Sequence, residues 1–138
     1  MEKLEFVVMG QPMGWKRVAR FGGHYYDPKE NQNYKSMVRD SVYRAGFSGS
    51  PHEGLIKISG TFVFLRPKKY MTEVYPDGRF FKASTPDVDN LIKMVMDALN
   101  KYVFRDDGQV CQITSKKVYC AKENDGPRSE ITITLEDD

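Results

Sequence analysis

Residues 85–110 constrain the chain more than any other stretch, because they place Asp87, Asp89, Asp97, Asp106 and Asp107 around one segment of helical period that carries Lys93. Within it Leu91, Met94, Val95, Ala98 and Leu99 recur at three- and four-residue spacing, the pattern of a helix that buries one side against a sheet. At about 100° per residue, Asp89, Lys93 and Asp97 project from nearly the opposite side. Ile92 and Met96 lie close to that open side, which calls for cover by a partner subunit or by later chain. Aspartates grouped this densely repel one another and need a positive partner, either a protein group or a hard divalent cation.

The rest of the chain supplies the sheet. Residues 4–9 are apolar and β-branched, and Gly10 and Pro12 end them as a strand. From 10 to 27 a loop interleaves Lys16, Arg17 and Arg20 with Trp15, Phe21, Tyr25 and Tyr26. Its charges suit phosphates and its rings suit bases, unless the rings fold back onto the core. Asp27-Pro28-Lys29-Glu30 reads as an N-cap acid, a first-turn proline and a glutamate of the capping-box type. The helix it starts carries Tyr34, Met37, Val38, Ser41, Val42 and Ala45 on its buried stripe and stops at Gly46. Residues 55–65 alternate as a half-buried strand, with Gly60 marking a bulge.

Arg66, Lys68 and Lys69 close that strand, either as a DNA contact or as protection of a sheet edge. A turn at 75–78 then joins two short strands. Residues 109–122 form a strand or bent strand pair containing Lys116 and Lys117, and residues 129–136 alternate as the last strand. The order gives an α+β fold over residues 1–138: a single domain with a mixed or antiparallel sheet and two helices packed on one face.

Net charge is only +2, but its distribution is uneven. Residues 1–70 hold 12 Lys/Arg against 6 Asp/Glu, and residues 71–138 hold 9 against 13. Such polarity suits a polyanion held by one region and processed by carboxylates in another, or ordinary surface unevenness. Cys111 and Cys120 form no CxxC, and His24 and His52 sit far from both, so neither a disulfide framework nor a zinc site is expected. No apolar run reaches membrane-spanning length and no signal-peptide pattern follows Met1, which gives a cytoplasmic expectation with no membrane partner.

A helix from Asp89 to Asn100 would span roughly 17 Å at 1.5 Å per residue. The chain must therefore fold back to bring Asp106 and Asp107 to Asp87 and Asp89, as a return strand beside the helix N-terminus would do. Acids so gathered could bind a cation, activate water and stabilise the leaving oxygen of a phosphodiester, while Lys93 stabilises charge in the transition state. Helix capping and an ordinary Asp89–Lys93 surface pair are the competing roles. Asp87-Val88-Asp89 opens like an EF-hand loop but lacks its fifth ligand and sixth-place glycine; a nucleophile triad and a GxxxxGK loop are also missing.

Asp87-x-Asp89-Asn90-Leu91-x-Lys93, Asp97-Ala98-Leu99 and Asp106-Asp107-x-Gln109-Val110 resemble the signature of the RusA family of Holliday junction resolvases, small endonucleases of phage and prophage character. Gly10-x-Pro12, Arg17, Arg20, Tyr26-Asp27-Pro28-Lys29 and Tyr34 extend the likeness over most of the chain. The sequence departs from the family at Arg17-Val18-Ala19-Arg20, where many relatives carry Arg-Pro-Arg, and at Thr85, where a basic residue often stands. The resemblance implies a homodimeric, Mg²⁺-dependent enzyme, Mn²⁺ substituting, that binds four-way DNA junctions in a bacterial or phage-infected cell and nicks two opposed strands during recombination and repair. It implies Asp87, Asp89 and Asp107 as metal ligands and Lys93 as the catalytic lysine. Lys16, Arg17, Arg20, Arg66, Lys68, Lys69, Lys116 and Lys117 are the candidates for DNA contact. A non-catalytic nucleic-acid-binding recombination module and a broader flap or fork nuclease are the alternatives.

Overall fold

The computed structural model describes residues 2–17 and 19–137, the side chains of residues 19–21 excepted. In chain order the elements are β1 (Glu2–Met9), β2 (Ala19–Phe21), β3 (His24–Tyr26), α1 (Lys29–Arg44), β4 (Leu55–Phe64), β5 (Phe80–Phe81), α2 (Val88–Leu99), β6 (Val110–Tyr119) and β7 (Arg128–Glu136). Five strands form one sheet in the order β1-β7-β4-β6-β5, antiparallel throughout except where β4 runs parallel to β6. β2 and β3 make a separate hairpin.

Strand alternation selects the face that is buried. Leu4, Phe6 and Val8 of β1, Ile56, Ile58, Phe62 and Phe64 of β4, and Ile131, Ile133 and Leu135 of β7 all enter one core. Tyr34, Val38 and Val42 of α1 and the apolar side of α2 enter that same core, so both helices cover one face. The expected single α+β domain with a mixed sheet is the one observed. On the opposite face the Arg79 guanidinium grips Asp125 (2.9 and 3.1 Å) and Glu130 (2.9 Å to each oxygen), tying the start of β5 to β7 and the turn before it. These hydrogen bonds hold the Asp125 carboxyl well below the usual carboxylate range, with burial opposing them.

Several local expectations are corrected. Part of the basic loop forms the β2–β3 hairpin, turned through Gly22 and Gly23, whose φ angles of 57° and 83° suit the left-handed residues of a tight hairpin turn. α1 begins at Lys29 behind Pro28, and no side chain caps it. Asp27 instead accepts from Asn31 Nδ2 (3.0 Å) and Lys35 Nζ (2.8 Å). Met37, expected on the buried stripe of α1, is exposed. Around the 75–78 turn stand a 3-10 turn (Lys68–Met71) and only β5, two residues long, rather than two strands; of the strand or bent strand pair expected over 109–122, the single strand β6 is the one observed. Ile92 is buried and Met96 half-buried by this chain itself, so their cover needs no second subunit.

Gly60 is not a bulge either. The register shift lies between Ile56 and Lys57, and Gly60 pairs regularly on both sides. What it provides is space: a Cβ there would stand 3.0 Å from the Phe62 ring and 3.3 Å from Ile131 Cδ1. Gly60→Ala is expected to destabilise the fold by about 1–3 kcal/mol, as overpacking does. A lower denaturant midpoint at unchanged m-value is the measurement; an unchanged midpoint would contradict this packing.

Candidate active site

The parallel pairing of β4 with β6 decides where the acids stand. Lys117, near the end of β6, donates to the carbonyls of Ser84 (2.6 Å) and Pro86 (2.8 Å), just ahead of α2. The end of β6 therefore lies beside the N-terminus of α2, and the Asp106–Asp107 turn that opens β6 lies toward the other end. A return strand is present, as expected, but it brings Lys117 rather than Asp107 to the helix N-terminus.

At that N-terminus Asp87 and Asp89 are exposed. Asp87 occupies the N-cap position without a side-chain capping bond, and Asp89 accepts from the Asn90 amide at 3.0 Å. The loop before β2 docks against this end. Trp15 N–H donates to Asn90 O at 3.0 Å. A Cβ on Gly14 would meet Pro86 Cβ at 3.2 Å, so the loop backbone lies tight against the Pro86 ring. Asn31, fully buried, accepts from Lys16 N–H (3.2 Å) and donates to Lys16 O (2.8 Å). Lys93, one turn along α2, places Nζ 3.7 Å from the centroid of the Trp15 ring. A cleft of about 470 Å³ runs between Pro12–Lys16 and Thr85, Pro86, Asp87 and Asn90, across the cis Thr85–Pro86 bond.

At the other end of α2, Asp106 and Asp107 divide their work. The Asp106 carboxylate accepts from Gly108 N–H (2.8 Å), while Gln109 Oε1 accepts from the amides of Asp106 (2.9 Å) and Arg105 (2.8 Å). This capping box fixes the turn and leaves Asp107 exposed beside it. Burial pushes the Asp107 carboxyl above its ordinary range, and the Asp106 charge adds to the effect. Asp97 is half-buried, and burial raises it too; Lys35 and Lys93 draw it down while Asp107 and Asp27 push it up. Asp27 goes the other way: burial pushes it up, but hydrogen bonds from Lys35 and Asn31 and the charges of Lys35 and Arg39 outweigh this and lower it. Asp97 thus sits where Lys35, Lys93, Asp107 and Asp27 all act on it.

All the candidate metal ligands are carboxylates, the donors a hard divalent cation takes, and Mg²⁺ commonly uses only one or two of them with water and substrate phosphate. In donor chemistry Asp87 and Asp89 fit such an ion. A three-acid site is another matter: among the described residues no group of three or more His, Cys, Asp or Glu is placed to hold a metal.

The basic candidates fall into two groups. Arg17, Lys68 and Lys116 are exposed. Lys16 is exposed and 3.7 Å from Glu30, and Lys69 lies over the Tyr70 ring. Arg66, in contrast, donates to the carbonyls of Cys120, Tyr70, Pro76 and Gly78 at 2.7–2.9 Å and holds residues 67–78 in place. Lys117 is engaged with the 84–86 carbonyls as described. The Arg20 side chain lies outside the described residues. Three partners of the site went unrecognised in the sequence: Trp15 as a neighbour of Lys93, and Asn31 and Lys35 as anchors. The Asp27-x3-Asn31-x3-Lys35 spacing, which aligns three polar groups along one helical face, is a signal that could have found the latter two.

The family described as "Endodeoxyribonuclease RusA" matches residues 9–134, nearly the whole chain. The protein belongs to the RusA endodeoxyribonuclease family. It is also similar to the uncharacterized protein YqaN of Bacillus subtilis (strain 168), with 28% identity over 148 residues that cover 96% of either chain.

The raised Asp97 carboxyl has a sign that can be tested. Its folded pKa lies above the unfolded value, so its ionisation costs the fold nothing below pH 3.8 and destabilises it as pH rises through the folded pKa. Asp97→Asn is expected to raise the thermal midpoint relative to the native chain at pH 7 and to lose that advantage near pH 3. An advantage that grows toward acid would contradict this environment for Asp97.

Proposed function

We propose that the protein is a divalent-cation-dependent endonuclease that resolves four-way DNA junctions by paired, symmetric nicks. The observation that carries this reading is the coincidence of family membership with the Asp87-x-Asp89-x3-Lys93 motif at the open N-terminal half of α2. Asp87 and Asp89 would hold Mg²⁺, or Mn²⁺ in its place, and Asp107 is the further ligand that the resemblance assigns. When bound, such an ion activates water and stabilises the leaving oxygen of a phosphodiester.

The chain's own groups do the rest. Lys93 presents positive charge to the phosphate under attack, where a fixed charge stabilises the transition state more than the ground state. The exposed Lys16 and Arg17 meet phosphates next to the cleft, and Lys68, Lys69 and Lys116 extend the basic surface. Phosphate contacts of this kind position the duplex without reading its sequence, which suits a ligand recognised by shape. Two active sites related by a two-fold axis are the simplest route to symmetric incision, so the working form is a homodimer.

A second reading has one observation in its favour, the lack of a three-acid group among the described residues. On it the chain is a non-catalytic junction-binding module whose acids cap and pair, with binding indifferent to Mg²⁺. Labelled four-way junction, duplex and flap, incubated with Mg²⁺ or EDTA, separate the two. The nuclease reading expects paired nicks in the junction with Mg²⁺ and none with EDTA, whereas cleavage of flaps in preference indicates a broader nuclease. Asp89→Asn is expected to keep junction binding within about twofold while lowering cleavage by at least about a hundredfold, the scale of losing an electrostatic catalytic group. Native-rate nicking by Asp89→Asn would sink the metal assignment. Light scattering that shows a monomer while resolution is retained would count against the dimer.

A further inference from the structure

We propose that Trp15 is a positioning residue for Lys93: its indole face holds the ammonium in place at the phosphate-binding end of α2. The inference rests on the nuclease reading of Lys93 and adds to it a residue outside the acidic motif. Lys93 stands on an exposed helix face, where a four-carbon side chain left alone samples many rotamers. Here its Nζ lies 3.7 Å from the Trp15 centroid, against 5.0–5.2 Å for the ring contacts of Lys69 and Lys82. Indole is the strongest of the aromatic partners for a cation.

The backbone that carries the ring is itself held. The Trp15 backbone N–H donates to Asn90 O, Gly14 on one side is pressed against Pro86, and Lys16 on the other is secured through both backbone groups by buried Asn31. Asn90 precedes Lys93 by three residues, so the backbone bond and the ring contact fall on the same side of α2 and register with each other. The loop that brings Trp15 also carries Lys16 and Arg17, and a phosphate drawn to those charges arrives beside the lysine that the ring orients. Trp15 also packs against the core, and a purely structural role would leave Lys93 out of account.

Two measurements on the full chain separate these roles. Trp15 is the sole tryptophan, so its fluorescence reports this contact directly. Lys93→Met is expected to shift the emission and Lys93→Arg to keep it near native; emission identical in all three overturns the contact. With labelled four-way junction and Mg²⁺, Trp15→Leu is expected to lower kcat by about tenfold with KM nearly unchanged, and Trp15→Phe to recover most of that loss. Native kcat in a folded Trp15→Leu overturns the positioning role, as does a loss confined to KM. If Trp15→Leu does not fold, the fluorescence of the Lys93 variants and the kcat of Trp15→Phe against a folded Trp15→Met, expected to be the slower of the two, decide it. A native chain that cuts no DNA defeats the nuclease reading, an outcome distinct from unaltered emission.

Discussion

The fold depends on a single parallel pairing. β4 and β6 run in the same direction in an otherwise antiparallel sheet, and parallel neighbours need a crossover long enough to regain the starting edge. Here the crossover carries α2, whose apolar side closes the core over the sheet. One requirement thus places the helix, buries Leu91, Met94, Val95, Ala98 and Leu99, and turns Asp89 and Lys93 outward. It also fixes the polarity of the site, with Asp87 and Asp89 at one end of α2 and the Asp106–Asp107 turn toward the other.

Around this crossover, polar groups are joined by short-range bonds of high sequence separation. Asn31 on α1 secures the backbone of Lys16, Asn90 on α2 receives Trp15, and Lys117 on β6 secures the 84–86 carbonyls. Each satisfies backbone groups that a loop packed against a helix would otherwise bury unpaired. The loop is therefore a fixed wall of the cleft held from α1 and α2, and the 84–86 segment on the other side is held from β6.

Local periodicity made most of the architecture legible. The alternation in β4 and β7 and the three- and four-residue spacing in α1 and α2 are properties of adjacent residues, and they gave the elements, the buried side of α2 and the fold class. The failures involve side-chain partners that periodicity does not specify. Asp27 has the chemistry of a cap, but Asn31 and Lys35 lie one and two turns away and offer an amide and a charged partner instead. Gly60 looked like a bulge, but its reason is a ring two residues along and a methyl from β7. In the site, spacing put Asp89, Lys93 and Asp97 on the open side of α2 and Asp87 at its start. The direction of β6, which no local pattern encodes, decided that Asp106 and Asp107 would lie toward the opposite end.

Arg66 carries a broader consequence. Its planar fork serves four backbone carbonyls at once, which the single ammonium of a lysine could not do. Lys35 on Asp27, Arg39 on the Ala98 carbonyl and Lys117 on the Ser84 and Pro86 carbonyls have likewise committed donors. Bonding to carbonyls leaves a cation's charge intact, so Arg66, Arg39 and Lys117 still contribute to the long-range field that draws a polyanion in. On the proposed nuclease reading, the donors that would grip phosphate at contact distance are a smaller set, with Arg17, Lys68 and Lys116 among its exposed members. On that reading, attraction from afar and grip on arrival fall to partly different residues, so that the salt dependence of encounter and that of the bound state would be tuned separately.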